Sequence, residues 1–371
     1  MDEREARLGW ALVSEPADTV ALSFATEVGV VQSYEWLLSS QKVSPISGKM
    51  GKLVSQRAEA WRARLNPSEV AGLLARWGTQ GHRFLIPSDP EWPLTGRRLV
   101  EQAPFGLWFI GNEEILRGLD ASAALVGARA STRYGDEVAA QLSHSLSAKG
   151  VTTISGGAYG IDAAVHRGAL SAAGNTLTVQ AGGLDRLYPQ MNSQMFEQIK
   201  VNGGIISQIA PGRRPSRWRF LDRNRLIAAL CPLTVVIEAA SRSGALNTAR
   251  HALELGRELG AVPGPITSEM SKGTNRLLQE GATCITDQND IMEILGERES
   301  LSRPPSCGSL LDDLDERESR VLDAFPKVGS TTCEKLVVVS GIPPIEVSAA
   351  LGTLEMAGRI SRNGKSYRRM Q

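Results

Sequence analysis

Ala123-Ala124-Leu125-Val126-Gly127-Ala128-Arg129-Ala130-Ser131 is the stretch on which the fold turns. Residues 123–126 are apolar without a break, as in a strand buried on both faces. A glycine turn follows at Gly127, and helix signals begin near Tyr134-Gly135-Asp136. A strand that runs through a glycine turn into a helix opens a βαβ unit. Similar units extend outward on either side. Strand patterns lie at 107–110, 151–155, 176–180, 205–209, 233–237, 260–262 and 284–286, with longer amphipathic stretches between most of them.

Alternating strands and helices imply an α/β fold: an extended Rossmann-like, mainly parallel sheet with helices on both faces. Ligands of such sheets sit at the carboxyl ends of the strands. Upstream, residues 1–80 read as a helical N-terminal domain, with helical spacing in Val28-Val31-Trp36-Leu37 and Val70-Leu73-Leu74-Trp77. Pro87, Pro90 and Pro93 mark the boundary of the core, 81–296. Downstream, 297–315 is a polar linker with Arg303-Pro304-Pro305 and the acids Asp312, Asp313 and Asp315. Residues 316–371 carry three short helix patterns, 319–325, 332–339 and 344–356, and then Asn363-Gly364, a hairpin signal. That is the plan of a winged helix.

The 41 basic and 40 acidic residues leave a formal net charge of +1, so any nucleic-acid site is a local patch. Cys231, Cys284, Cys307 and Cys333 show no metal-ligand spacing and no disulfide framework, which fits a reducing cytoplasm. No apolar run approaches the ~20 residues that span a bilayer.

Three turns at predicted strand ends carry the candidate site. In the first, the positive end of a helix and backbone N–H groups suit an anion, Gly127 lets backbone approach it, Arg129 can grip it with two donors and Ser131 offers a hydroxyl. Read blandly, the same residues are a surface arginine and a capping serine. The second, Ser155-Gly156-Gly157-Ala158-Tyr159-Gly160, supplies a glycine floor but lacks the spacing of a dinucleotide fingerprint. The third, Glu238-Ala239-Ala240-Ser241-Arg242-Ser243-Gly244, adds Arg242, Ser243 and Gly244. Glu238 there is expected to order neighbouring arginines. Asp162 and His166 have metal-ligand spacing without a third ligand and are expected to be a cap and a satisfied histidine. Between the second and third turns, Arg213 to Arg225 holds six arginines: Arg213, Arg214, Arg217, Arg219, Arg223 and Arg225. Trp218 and Phe220 are interleaved with them. Arginines track a phosphate backbone while an aromatic ring stacks a base. Arg223 and Asn224 are expected at a helix start facing the crevice.

These motifs together resemble the DprA family, also called Smf. Val126-Gly127-Ala128-Arg129-Ala130-Ser131 is similar to its VGxRxxS turn, and Ser155 to His166 to its SGxAxGID…H stretch. Phe220-Leu221-Asp222-Arg223-Asn224-Arg225 resembles its F-x-x-RNR segment. Glu238-Ala239, then Ser243-Gly244-Ala245-Leu246-Asn247-Thr248-Ala249, and Val262-Pro263-Gly264 complete the set. The resemblance implies single-stranded DNA binding, a homodimer, and loading of the RecA recombinase onto incoming strands in natural transformation. It gives the phosphate role to Gly127 and Arg129 and places the RNR segment at Arg223, Asn224 and Arg225. Family members often carry Arg where this chain has Tyr159, and many a basic residue where it has Asn175. No catalytic residue, cofactor, metal or membrane partner is expected.

Two rival readings remain open. A nucleotide-cleaving enzyme on this fold needs a carboxylate set at the strand ends. A regulator reading duplex DNA needs Arg, Asn or Gln on its recognition helix. Residues 344–356 offer none of these, and the basic residues lie in the hairpin and tail at Arg359, Arg362, Lys365, Arg368 and Arg369.

Overall fold

The computed structural model of the protein describes residues 1–39, 41–79, 81–94, 103–302, 316–326, 330–356, 359–364 and 366–369. Most of the expected linker, with Cys307 and the acids Asp312, Asp313 and Asp315, lies outside the described residues, as does Lys365. The chain forms two compact units, Met1–Ser300 and Leu301–Gln371.

The first unit opens with helices α1 (Glu3–Val13), α2 (Thr19–Val28), α3 (Val30–Leu38), α4 (Gly48–Arg62) and α5 (Pro67–Thr79). Asp2 and Glu5 start α1 with a reciprocal capping box. The first four helices gather around Trp10, whose ring lies 5.2 to 6.2 Å from those of Phe24, Tyr34, Trp61 and Phe105. Edge-to-face and stacked rings at this spacing are the favoured aromatic geometries.

Next come β1 (Arg83–Leu85), β2 (Leu107–Gly111), α6 (Glu114–Arg117), β3 (Ser122–Gly127), α7 (Arg133–Ala148), β4 (Thr152–Ser155), α8 (Ile161–Ser171), β5 (Thr176–Gln180), α9 (Ser193–Asn202), β6 (Gly204–Ser207) and α10 (Arg217–Leu230). The unit closes with β7 (Leu233–Glu238), α11 (Gly244–Glu254), β8 (Glu258–Ala261), α12 (Lys272–Gln279), β9 (Thr283–Cys284) and α13 (Gln288–Ser302). The nine strands form one sheet in the order β1-β2-β6-β5-β4-β3-β7-β8-β9. From β6 to β9 every pairing is parallel, while β1 and β2 add an antiparallel edge.

Period-two alternation in the strands feeds two cores. Ala123 and Leu125 of β3 pack with Leu142, Leu146, Ala164 and Val165 of α7 and α8. Ala124 and Val126 pack on the other face, with Leu226, Ile227, Ala245 and Ala249 of α10 and α11. The strand order reverses beside β3, because the chain leaves it toward β4 while the chain leaving β7 turns toward β8. The loops after β3 and β7 therefore part and leave a crevice at the strand ends, where such sheets bind ligands.

The second unit contains α14 (Glu316–Asp323), β10 (Thr331–Thr332), α15 (Cys333–Ser340), α16 (Pro344–Met356), β11 (Ile360–Asn363) and β12 (Ser366–Arg369). Its core is Val321, Phe325, Leu336, Val347, Leu351, Leu354 and Ile360. Three helices with a small sheet ordered β10-β12-β11 make a winged helix. Its turn is displaced from the expected Asn363-Gly364: Asn363 pairs with Ser366, so the loop begins at Gly364. Among the described residues no single helix is long and apolar enough to cross a membrane.

Candidate nucleic-acid interface

The crevice floor is made by the turn after β4. Arg223 runs beneath it, almost wholly buried, and donates through Nη1 to the Val179 carbonyl at 3.1 Å. Gly156 is what makes room for it, since a Cβ there would stand 1.4 Å from Arg223 Nη1. The Asp162 carboxylate lies 4.0 Å from the same nitrogen and accepts from the Ala158 N–H at 3.3 Å. Burial raises the Asp162 pKa, with Arg223 opposing, and burial lowers that of Arg223. Arg223 and Asn224 are thus mid-helix floor residues, not helix-start residues. The helix begins earlier, at Arg217, where the Ser216 hydroxyl accepts from the Arg219 N–H at 3.4 Å. Asn224 donates to the Gly244 carbonyl at 3.2 Å and so pins the third turn to α10.

Two side chains at the turns after β3 and β7 depart from expectation. Glu238, at the end of β7 and 1% exposed, pairs with no arginine among the described residues; its carboxylate accepts from the Thr132 N–H at 2.9 Å and the Thr132 hydroxyl at 2.6 Å. The positive end of α7 is therefore already matched by an internal anion. The Ser131 hydroxyl donates to Asp136 at 2.6 Å, turned to its own helix. Gly127 lines the strand-end cavity and also serves packing, because a Cβ there would meet Ile161 of α8 at 2.5 Å. Glu238→Ala is expected to lower stability by about 1–3 kcal/mol by orphaning the Thr132 N–H, as read by urea denaturation.

Arg129 is the exposed cation of this turn, and its guanidinium stacks 4.6 Å from the centre of the Phe220 ring. Arg223 faces the same ring at 5.7 Å, and Tyr188 meets it edge-on at 6.0 Å. Arg129, Asn224 and Gly244 stand where two spaces join. One is a cavity of about 370 Å³ at the strand ends, with Gly127, Arg223, Arg242 and Ser243 in its lining. The other is an open cleft of about 1240 Å³ with Tyr159, Arg186, Tyr188, Arg214 and Arg217. Arg242 and Gly244 are exposed, Ser243 caps α11 by accepting from the Ala245 N–H at 3.3 Å, and a Cβ at Gly244 would meet nothing. Gly157 has φ +70°, and its backbone lies against Thr178 and Phe196.

The six arginines meet different fates. Arg129's neighbours Arg214 and Arg217 are exposed along the cleft. Arg213 and Arg219 pair with Glu15 of the α1–α2 loop at 3.4 and 2.9 Å. Arg225 and the exposed Trp218 line a separate cleft of about 240 Å³ with Pro16 and His251. The structure therefore does not bring these two to the crevice, because they leave α10 on another face.

Asp162 and His166 do not pair. His166 is fully buried, its Nδ1 lies 2.8 Å from the Thr176 hydroxyl, and burial lowers its pKa to about 3. Among the described residues no group of three His, Cys, Asp or Glu is placed to hold a metal. A histidine neutral when folded but titrating near 6.5 when unfolded contributes stability that is lost as pH falls from 6.5 toward 3. Denaturation at about pH 7 and 5 is expected to differ by about 2 kcal/mol from this group, with His166→Gln removing most of the difference.

Residues 83–296 match the family model for DNA recombination-mediator protein A, and residues 305–364 match a DprA winged helix domain. A putative DNA processing protein DprA of Mycobacterium tuberculosis is 39% identical over 360 residues, covering 94% of this chain and 90% of the relative. The Smf protein of Escherichia coli is 32% identical over 346 residues, covering 92% and 91%. The X-ray structure of DprA from Streptococcus pneumoniae superposes with a TM-score of 0.63 at 25% identity, over 79% of this chain and 98% of that one. DprA from Helicobacter pylori, solved to describe its single-stranded DNA binding mode, gives 0.52 at 27% identity over 58% and 96%.

Proposed function

The chain belongs to the DprA/Smf family of DNA processing proteins, and on that premise we propose that it binds single-stranded DNA in the cleft at the strand ends. The observation that carries this reading is Arg129 stacked on Phe220 where the cavity meets the cleft. A cation and an aromatic face at one point suit a nucleotide, whose phosphate and base need one of each. Arg129, Arg242 and the open turn at Gly244 hold phosphates. Arg186, Arg214 and Arg217 continue the cationic track, and Phe220 offers a face for a base. Gly156, Gly157, Arg223 and Asn224 form the floor and keep these groups in place. Tyr159 supplies an exposed ring at the cleft wall.

Duplex DNA is disfavoured because its bases are stacked inside the helix and cannot reach Phe220. No chemical step is needed. Of the carboxylates around the crevice and cleft, Asp162 is engaged by Arg223, Glu238 by Thr132 and Asp185 by the Gly212 N–H. Loading of the RecA recombinase onto the bound strand during natural transformation, in the cytoplasm and as a homodimer, is the role proposed from the family premise. Two clefts in a dimer add avidity on strands long enough to span them.

Fluorescence anisotropy with labelled oligo-dT and a matched duplex, across a salt series, tests the reading. Preference for the single strand with a salt slope of about −0.7 per neutralised phosphate is expected. Equal affinity for the two, or release of base or ribose phosphate from a nucleotide panel, would replace it with the nucleotide-enzyme reading.

A further inference from the structure

We propose that Glu15, in the loop between α1 and α2, is a built-in counterion that withholds Arg213 and Arg219 from the nucleic-acid cleft. The helical N-terminal segment then sets how many charges the cleft offers a strand. The inference rests on the single-strand reading above and concerns its strength, not its existence.

The pairing is two-pronged. Arg219 donates through Nε to Glu15 Oε2 at 3.1 Å and through Nη2 to Oε1 at 2.9 Å. This fork-on-fork geometry is the strong form of an arginine–carboxylate contact. Arg213 approaches the same carboxylate at 3.4 Å and also donates to the Leu12 carbonyl. Arg64 stands 3.9 Å away. One carboxylate thus faces three guanidiniums. The arginines are the more covered partners, at 24% and 15% side-chain exposure, while Glu15 is 41% exposed. Glu15 itself opens onto a separate space lined by Ala17, Asp18, Arg57 and Arg64, so it holds Arg213 from behind the cleft wall.

Position ties this cluster to the cleft. Arg213 lies in the cleft wall beside Arg214 and Pro215. Arg219 also donates through Nη1 to the Arg214 carbonyl at 2.6 Å, so Glu15 holds the wall through it. Burial lowers the Arg213 pKa and Glu15 raises it, as a resident counterion does. Removing that charge leaves Arg213 with the through-space influence of Glu69 and Arg219 with that of Asp222, and a bound strand adds a further anion to both.

The test uses the full chain, labelled oligo-dT and salt from about 50 to 200 mM. Glu15→Gln is expected to bind tighter at low salt, with a log–log slope steeper by up to about 1.4, or about 0.7 for each arginine released. Its advantage over wild type then shrinks by up to about sevenfold across that range. Adding Arg219→Met to Glu15→Gln is expected to return about half of the extra slope. An unchanged or shallower slope in a folded Glu15→Gln protein overturns the proposal and leaves the pairs purely structural. Should Glu15→Gln not fold, Glu15→Ser decides by the same two readings: a steeper slope is expected, and an unchanged or shallower one overturns the proposal. Failure of the wild type to bind oligo-dT at all refutes the single-strand reading instead, so the two failures are distinct.

Discussion

Arg223→Met is expected to cost about 3–5 kcal/mol of stability, as breaking a buried ion pair from one side does. The methionine can fill much of the arginine's stem volume beneath Gly156 but offers nothing to Asp162. That carboxylate, 6% exposed, keeps the Ala158 N–H at 3.3 Å and loses its nearby cation. The cost depends on pH in a defined sense. Burial already raises the Asp162 pKa above its ordinary 3.8, and Arg223 is the first of the influences that pull it back. Without Arg223 it rises further. An acid with a raised folded pKa contributes stability that is present below its unfolded value and lost as pH rises through the folded one. The penalty of Arg223→Met is therefore smallest in acid and grows as pH climbs above the carboxylate range. Urea denaturation of both proteins at several pH values checks this; a penalty that does not change with pH contradicts the buried-pair account. The Val179 carbonyl also loses its donor, which adds a part that pH does not touch.

Arg129→Ala acts on binding and leaves the fold intact. The side chain is exposed and makes its contact with the Phe220 ring at 4.6 Å, so little packing is lost. On the proposed reading it removes a charge-assisted phosphate contact, and affinity for oligo-dT is expected to fall roughly 10- to 100-fold. The salt slope is expected to become shallower by about 0.7. Arg129→Lys keeps the charge but loses the two-donor fork and the flat face over Phe220, so it recovers the slope better than the affinity. Wild-type affinity in a folded Arg129→Ala protein would place the strand elsewhere.

Much of the sheet was legible because each inner strand is a short run of β-branched and apolar residues followed by a turn. Leu233–Glu238 and Thr176–Gln180 are buried along their whole length, which is why they read so clearly. Arg83–Leu85 and Thr331–Thr332, at three and two residues, are too short to show a period. The site was legible as chemistry but less so as placement. Three strand-end turns with glycine and arginine were readable because local sequence sets a turn. The partner of a side chain is set by tertiary contact. Nothing near Arg219 in the sequence announces Glu15, 204 residues away, and nothing near Glu238 announces Thr132. The same limit explains Arg225 and Trp218. A run of alternating arginines and aromatics looks like one surface until the helix beneath it sends successive side chains to different faces.

The pairing of β3 with β7 also bears on how the chain is made. The Thr132–Glu238 bond that closes the crevice spans 106 residues. At about 5–20 residues per second of synthesis, β3 waits roughly 5–20 s for that partner. Until then the apolar edge of a half-built sheet is open to other nascent chains, which makes this interval the one in which a chaperone matters most. A chain stopped short of β7 would carry Arg129 and Gly156 and still have no crevice.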